Sequence, residues 1–215
     1  MYVPQTFRPD DEGQILAFID RYPFAMVSSV DHDGSGVLVS HLPILLEREH
    51  EPLGMLVGHL ARGNPHTELL AAGAPTTIVF HGPQGYVCPT WYQQEPSLPT
   101  WNYIAVHAVG NPALCDEEAH LLALLSRTVE VFEAAYGEST AWALNTESTY
   151  VAAYADHIVA FEMPVASLAA SFKLSQNIAT PLRNRVIQGL RRRNRNCDGA
   201  LADAMEDRRC DPGHG

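Results

Sequence analysis

A chain of 215 residues with 46% hydrophobic side chains can bury a substantial core as one ordinary domain, and nothing in its size demands a second. No apolar run approaches the roughly 18 residues a bilayer span needs, and the N-terminus has neither a basic region nor an apolar signal core, which implies a cytoplasmic protein without a membrane segment. The formal net charge of −11 argues against a protein that coats nucleic acid, because affinity for a phosphate backbone depends on clustered Lys and Arg.

Asp10 or Asp11 is placed to cap a first helix, in which Ile15, Phe18, Ile19 and Tyr22 recur at helical spacing until Pro23 stops it. Residues 24–30 read as a strand, 31–36 (DHDGSG) as a hairpin turn and 37–46 as the returning strand. A polar loop leads to a third strand at 53–59, and the β-branched run at 76–81 reads as a fourth.

Between the third and fourth strands His59 and Arg62 supply two cation-capable side chains. Asn64 can cap a short helix with Pro65 at its first position, and Gly73 can end it. Strand, basic turn, capped helix and strand is one way to hold a phosphate: Arg matches phosphate oxygens as a bidentate fork, and a helix start offers unpaired backbone donors. Taken alone, an Arg there is more often a solvated surface residue, and a single His more often a satisfied structural one.

The HGPQG at 81–85 reads as a turn into a short strand ending near Cys88. Residues 89–102 lose all periodicity while holding Trp91, Tyr92 and Trp101 among three prolines. Such a loop either covers a barrel or walls a flat ligand. A strand follows at 104–110. Asp116 can cap a long helix reaching about Tyr136, with Leu121, Leu124, Leu125, Val129 and Phe132 on its core face. A short helix at 145–156, a late strand at 157–165 and helices at 182–193 and 199–208 complete the chain.

Cys88, Cys115, Cys197 and Cys210 show no CxxC spacing, so reduced thiols are expected rather than disulfides or a metal site. Arg183, Arg185, Arg191, Arg192, Arg193 and Arg195 fall within one acid-free stretch and leave −17 on the rest of the chain. That run suits nucleic acid, acidic lipid or an acidic partner surface, or equally a solvated helix end.

Seven ordered segments carry a resemblance: MYVPQTF (1–7), YPFA (22–25), SHLPILLE (40–47), GHLARGNPH (58–66), FHGPQGYVCPTWY (80–92), PTWNYIAVHAVG (99–110) and FKLSQN (172–177). Together they resemble the PaiB family, commonly described as FMN-binding negative transcriptional regulators, from residue 1 to about 205. The resemblance implies an α+β fold: an FMN-binding split β-barrel of the pyridoxamine-phosphate-oxidase type, mostly antiparallel, with peripheral helices. It would be a single domain over 1–215, with 182–209 as a helical extension, and a homodimer with FMN at the subunit interface.

FMN needs cations and donors for its phosphate, a flat apolar slot and hydrogen bonds to the polar edge of its ring. Arg62 is the leading phosphate candidate, helped by His59, Asn64, Ser40 and His41. Trp101, Asn102 and Tyr103 could close the slot. Lys173, the single lysine, opens KLSQN, whose Gln176 and Asn177 offer amides to a ring edge, although a polar turn that locks subunit packing would look the same.

There is no nucleophile triad, Walker loop, HExxH helix or carboxylate pair, so no catalytic residue is identifiable. The alternative to a regulator is a flavin-dependent oxidoreductase, or a haem-handling enzyme on the same barrel. Against direct nucleic-acid binding stand the acidic balance and a linker at 194–199 unlike that of a helix-turn-helix.

Overall fold

The computed structural model describes residues 1–31, 34, 36–49, 52–136 and 142–208. Among these lie eight strands and six helices. Chain order is α1 (Glu12–Arg21), β1 (Phe24–Val30), β2 (Val37–Pro43), β3 (Leu45–Glu47), β4 (Met55–Ala61), α2 (His66–Ala71), β5 (Thr76–Val87), β6 (Thr100–Gly110) and β7 (Ala113–Cys115). After these come α3 (Glu118–Tyr136), α4 (Thr149–Ala155), β8 (Ile158–Lys173), α5 (Thr180–Arg193) and α6 (Asp198–Asp207). Hydrogen bonding orders the strands β2-β1-β5-β6-β8-β4-β3, with β7 also on β8. The pairs β1–β2, β1–β5, β3–β4, β4–β8 and β7–β8 are all antiparallel.

The chain divides into two compact units. One comprises Met1–Phe18, His81–Val106 and Ala169–Gly215, the other Ile19–Phe80 and His107–Leu168. We refer to these as the cavity unit and the hairpin unit. Strands β5, β6 and β8 contribute residues to both.

The hairpin unit begins with the β1–β2 pair, in register from Phe24 opposite Pro43 to Val30 opposite Val37. Asp31 N donates to Gly36 O at 3.0 Å to close the turn, and Gly34 takes φ +71°; His32, Asp33 and Ser35 of the expected turn lie outside the described residues. Period-two alternation sends Ala25, Val27 and Ser29 inward. Leu45, Met55, Val57 and Ala160 build a core closed by Leu121 and Leu124 of α3, the face expected from helical spacing. Each such leucine stabilises the fold by roughly 1.5–3 kcal/mol.

In the cavity unit β5 differs from expectation. It runs unbroken through HGPQG, with Pro83, Gly85 and Val87 inward and Gln84 and Tyr86 outward. Gly82 serves close approach rather than a turn: a Cβ there would meet the Phe18 ring at 2.6 Å. Two other strands also outrun their expected ends, β6 starting at Thr100 and β8 continuing to Lys173, and β7 was not anticipated.

The arginine run is used largely within this unit. Arg193 holds the buried Asp198 through two bonds of 2.7 and 2.5 Å, donates to Tyr86 O at 2.8 Å and lies 5.0 Å from the Trp91 ring centre. Arg191 pairs with Asp203 and Glu206, Arg183 donates to Met205 O, and Arg185 donates to Tyr92 O. These bonds tie α5 to α6 and to the 3-10 turn at Pro89–Tyr92.

Trp91 presses onto Gly189 of α5, where a Cβ would fall 2.3 Å from the indole. Gly189→Ala therefore overpacks this contact. We expect a loss of about 1–3 kcal/mol, read as a lower denaturant midpoint at unchanged slope. An unchanged midpoint would mean that Trp91 steps aside without cost.

Candidate functional site

The hairpin unit carries the turn after β4. α2 starts at His66, with Pro65 rather than Asn64 at the cap position, one residue later than expected; Asn64 Oδ1 still accepts from His66 N at 3.0 Å. Gly73 ends the helix at φ +64°, a conformation that favours glycine. Arg62 is exposed and pairs with Asp116 at 3.1 Å, the two side chains being 45% and 72% exposed. A pair so exposed is worth at most about 1 kcal/mol, so a phosphate can compete for the guanidinium.

His59 is placed differently. It stands opposite Ala160, so its Cβ leaves the strand on the side of Val57 and Ala160, which belong to the core under Leu121 and Leu124. Burial lowers its pKa, leaving it neutral and a weaker phosphate ligand than Arg62.

Ser40 and His41 diverge because adjacent strand residues face opposite sides. Ser40 is buried, whereas His41 is exposed and stacks on Phe24 with ring centres 6.4 Å apart. Ser40 joins a polar network centred on His66, a residue that sequence reasoning missed. Asn64 Nδ2 donates to Ser40 Oγ at 3.1 Å. The buried His66 contacts Ser40 through Nδ1 at 3.0 Å and Ser29 through Nε2 at 2.9 Å. Ser29 Oγ lies 2.6 Å from Thr76 Oγ1, which donates to Ala74 O at 2.9 Å.

The Thr76 end fixes the proton directions as far as His66 Nε2, and a neutral imidazole fixes the rest. Thr76 spends its hydrogen on Ala74, so Ser29 donates to Thr76 and accepts from His66 Nε2–H. Nδ1 then accepts from the Ser40 hydroxyl, which accepts from Asn64. Burial favours this neutral imidazole by lowering the His66 pKa. No local spacing signals such a chain, since its members come from four elements.

The cavity unit holds a half-open cavity of about 450 Å³, lined by Phe7, Thr100, Asn102, Lys173, Ser175 and Asn177 among others. That volume falls within the range of small-molecule sites. Lys173 Nζ donates to Thr100 Oγ1 at 2.8 Å and lies 5.9 Å from the Phe7 ring centre. Asn102 is fully buried; its Nδ2 donates to Ser175 Oγ at 2.8 Å, while Oδ1 is a buried acceptor without a protein partner. A buried amide oxygen left so is costly unless a ligand or water meets it.

Lys173, Asn102 and Asn177 thus come together on one cavity, but three companions do not line it. Gln176 is spent on its own turn, accepting from Leu174 N at 2.7 Å and donating to Phe172 O at 2.5 Å. Trp101 and Tyr103 leave β6 on the face opposite Asn102. Trp101 donates to Gln84 Oε1 at 2.7 Å and tilts against Tyr86, and the Tyr103 hydroxyl accepts from Ser171 at 3.4 Å.

A family model described as "Putative FMN-binding domain" matches residues 1–167. The chain belongs to this FMN-binding-domain family. Across its length it is similar to "Protease synthase and sporulation protein PAI 2" of Bacillus subtilis, with 27% identity covering 97% of this chain and 98% of that protein. Among solved structures it resembles the FAD and heme binding protein from Mycobacterium smegmatis (TM-score 0.57, 15% identity, 77% of this chain and 73% of that one). It also resembles the flavocytochrome Anf3 from Azotobacter vinelandii (TM-score 0.57, 14% identity, 80% and 72%). At such identities the likeness concerns the fold alone, the split β-barrel of this FMN-binding-domain family. No described helix is long and apolar enough to cross a membrane.

Proposed function

We propose that this protein is an FMN-binding homodimer of the cytoplasm. The observation that carries the ligand reading is the cavity lined by Lys173, Asn102 and Asn177, in a chain of the FMN-binding-domain family. The donor set fits the polar edge of a flavin ring. The unpartnered Asn102 Oδ1 suits a ring N–H, and the Lys173 ammonium and Asn177 amide suit ring carbonyls. Arg62, held only by an exposed ion pair, is the phosphate candidate of the hairpin unit, and the absence of a GxGxxG fingerprint favours FMN over a dinucleotide. Dimerisation draws support from the outer side of the β1–β2 pair, where Phe24, Val30, Val37 and Val39 are all exposed.

Bound FMN supplies electron transfer, and the chain supplies orientation and charge. Lys173 places a positive charge against the ring edge and so favours the flavin form that carries negative charge. Lys173→Met is expected to weaken FMN binding and to lower the midpoint potential of the bound flavin by on the order of tens of millivolts. Unchanged affinity and potential in a folded variant would remove Lys173 from the site.

A regulatory role of the PaiB kind would be exerted through the flavin or a protein partner rather than by reading duplex DNA. Four of the six arginines of the run, Arg183, Arg185, Arg191 and Arg193, are occupied by Asp198, Asp203, Glu206 and backbone carbonyls.

A further inference from the structure

In the hairpin unit three side chains of different chemistry meet without any sequence motif. Cys115 closes β7, His120 stands in the first turn of α3, and Glu162 lies on β8. The register explains part of the convergence. Ala113 pairs with Glu162, so Cys115, two residues further on, leaves the sheet on the same face as Glu162, one diagonal step away. Residues 116–117 then lead directly into α3. His120 Nε2 lies 3.0 Å from Glu162 Oε1, and the potential ligand atoms of all three residues lie within 4.8 Å of one another. Each residue is half-buried, which leaves the cluster open to a solute while packing against the core that contains Leu121 and Leu124 steadies Cys115.

A hydrogen-bonded His–Glu pair alone would be an ordinary surface contact. The thiol at the third corner changes the chemistry, because sulfur, nitrogen and oxygen donors from separate elements are the set that zinc takes. With bonds of about 2.0–2.3 Å, ligand atoms around a tetrahedral zinc stand roughly 3.3–3.7 Å apart. The observed separations, none above 4.8 Å, are within about 1.5 Å of that spacing. Glu162 and the neighbouring Glu117 also add negative charge locally, which suits a cation, while Asp116 is paired with Arg62.

We propose that Cys115, His120 and Glu162 form a zinc site with three protein ligands and a fourth position open to water or an added ligand. Binding releases the Cys115 thiol proton to water and exchanges the His120–Glu162 hydrogen bond for two bonds to the metal, the neutral imidazole binding through Nε2 with its remaining proton on Nδ1. None of the three belongs to the residues proposed for FMN, so this site stands or falls independently of that reading.

The test uses the full-length protein after chelator treatment, titrated with Co²⁺ as a spectroscopic stand-in and then with Zn²⁺. Difference spectra against the metal-free protein remove any flavin contribution. The expected result is one metal per chain, tetrahedral cobalt bands in the visible and a thiolate-to-cobalt band in the near ultraviolet, all abolished by zinc. Zinc affinity, measured by competition with a chromophoric chelator, should fall at least tenfold in Cys115→Ser, His120→Ala and the isosteric Glu162→Gln, and stay unchanged in Cys88→Ser. Absence of the thiolate band, or native zinc affinity in a folded Cys115→Ser protein, would overturn the proposal.

Discussion

Arg62→Ala should weaken FMN binding by about 10–100-fold while changing riboflavin affinity little. The two ligands differ only in the phosphate, and a charge-assisted contact to it is worth roughly 1.5–3 kcal/mol. Nothing buried is lost, since Arg62 is exposed and its partner Asp116 still more so. The fold should therefore hold, and the comparison reads binding alone. Titration of both ligands into flavin-free protein is the measurement. Equal losses for FMN and riboflavin would show that Arg62 acts on something other than the phosphate.

His66→Leu should destabilise the protein by about 2–4 kcal/mol, because Ser40 and Ser29 would each lose a buried partner and leucine offers none. The network also sets a pH dependence. His66 is held below its ordinary 6.5, so the folded chain takes up this proton less readily than the unfolded chain. Stability is full above pH 6.5 and declines as the pH falls from 6.5 toward the lower folded pKa. His59 is shifted in the same direction, so His66→Leu should flatten this slope without abolishing it. Denaturant midpoints between pH 8 and about pH 5 measure both effects. A slope of the opposite sign, or an unchanged midpoint in the variant, would mean that His66 is not held neutral by the chain of hydroxyls.

Much of the fold was legible because it rests on local patterns. Alternation gave β1 its ends, and leucine spacing gave α3 the face it buries. The failures share a cause. Gly82, Pro83 and Gly85 look like a turn, yet they belong to a continuous strand: Pro83 and Gly85 face inward, and at Gly82 the Phe18 ring leaves no room for a larger side chain. A sequence reports which residues tolerate a turn, but not the ring that must be accommodated.

The candidate site divides along the same line. Lys173 stood out as the single lysine, and Asn64 with Pro65 as a helix start, because both signals are local. His66 escaped notice because its role depends on Ser29 and Ser40, 37 and 26 residues away. Gln176 looked as available as Asn177, and only the backbone of its turn decides that its amide is already engaged.

Every role proposed for Lys173, Asn102 and Arg62 depends on the identity of the bound cofactor. Its most direct test is the absorption spectrum of the purified full-length protein, with mass analysis of whatever it releases on denaturation. We predict the two visible bands of an oxidised flavin and a released ligand with a single phosphate, FMN, restored stoichiometrically when FMN is added to the stripped protein. A Soret band, released FAD, or a colourless protein that fails to take up FMN would contradict it.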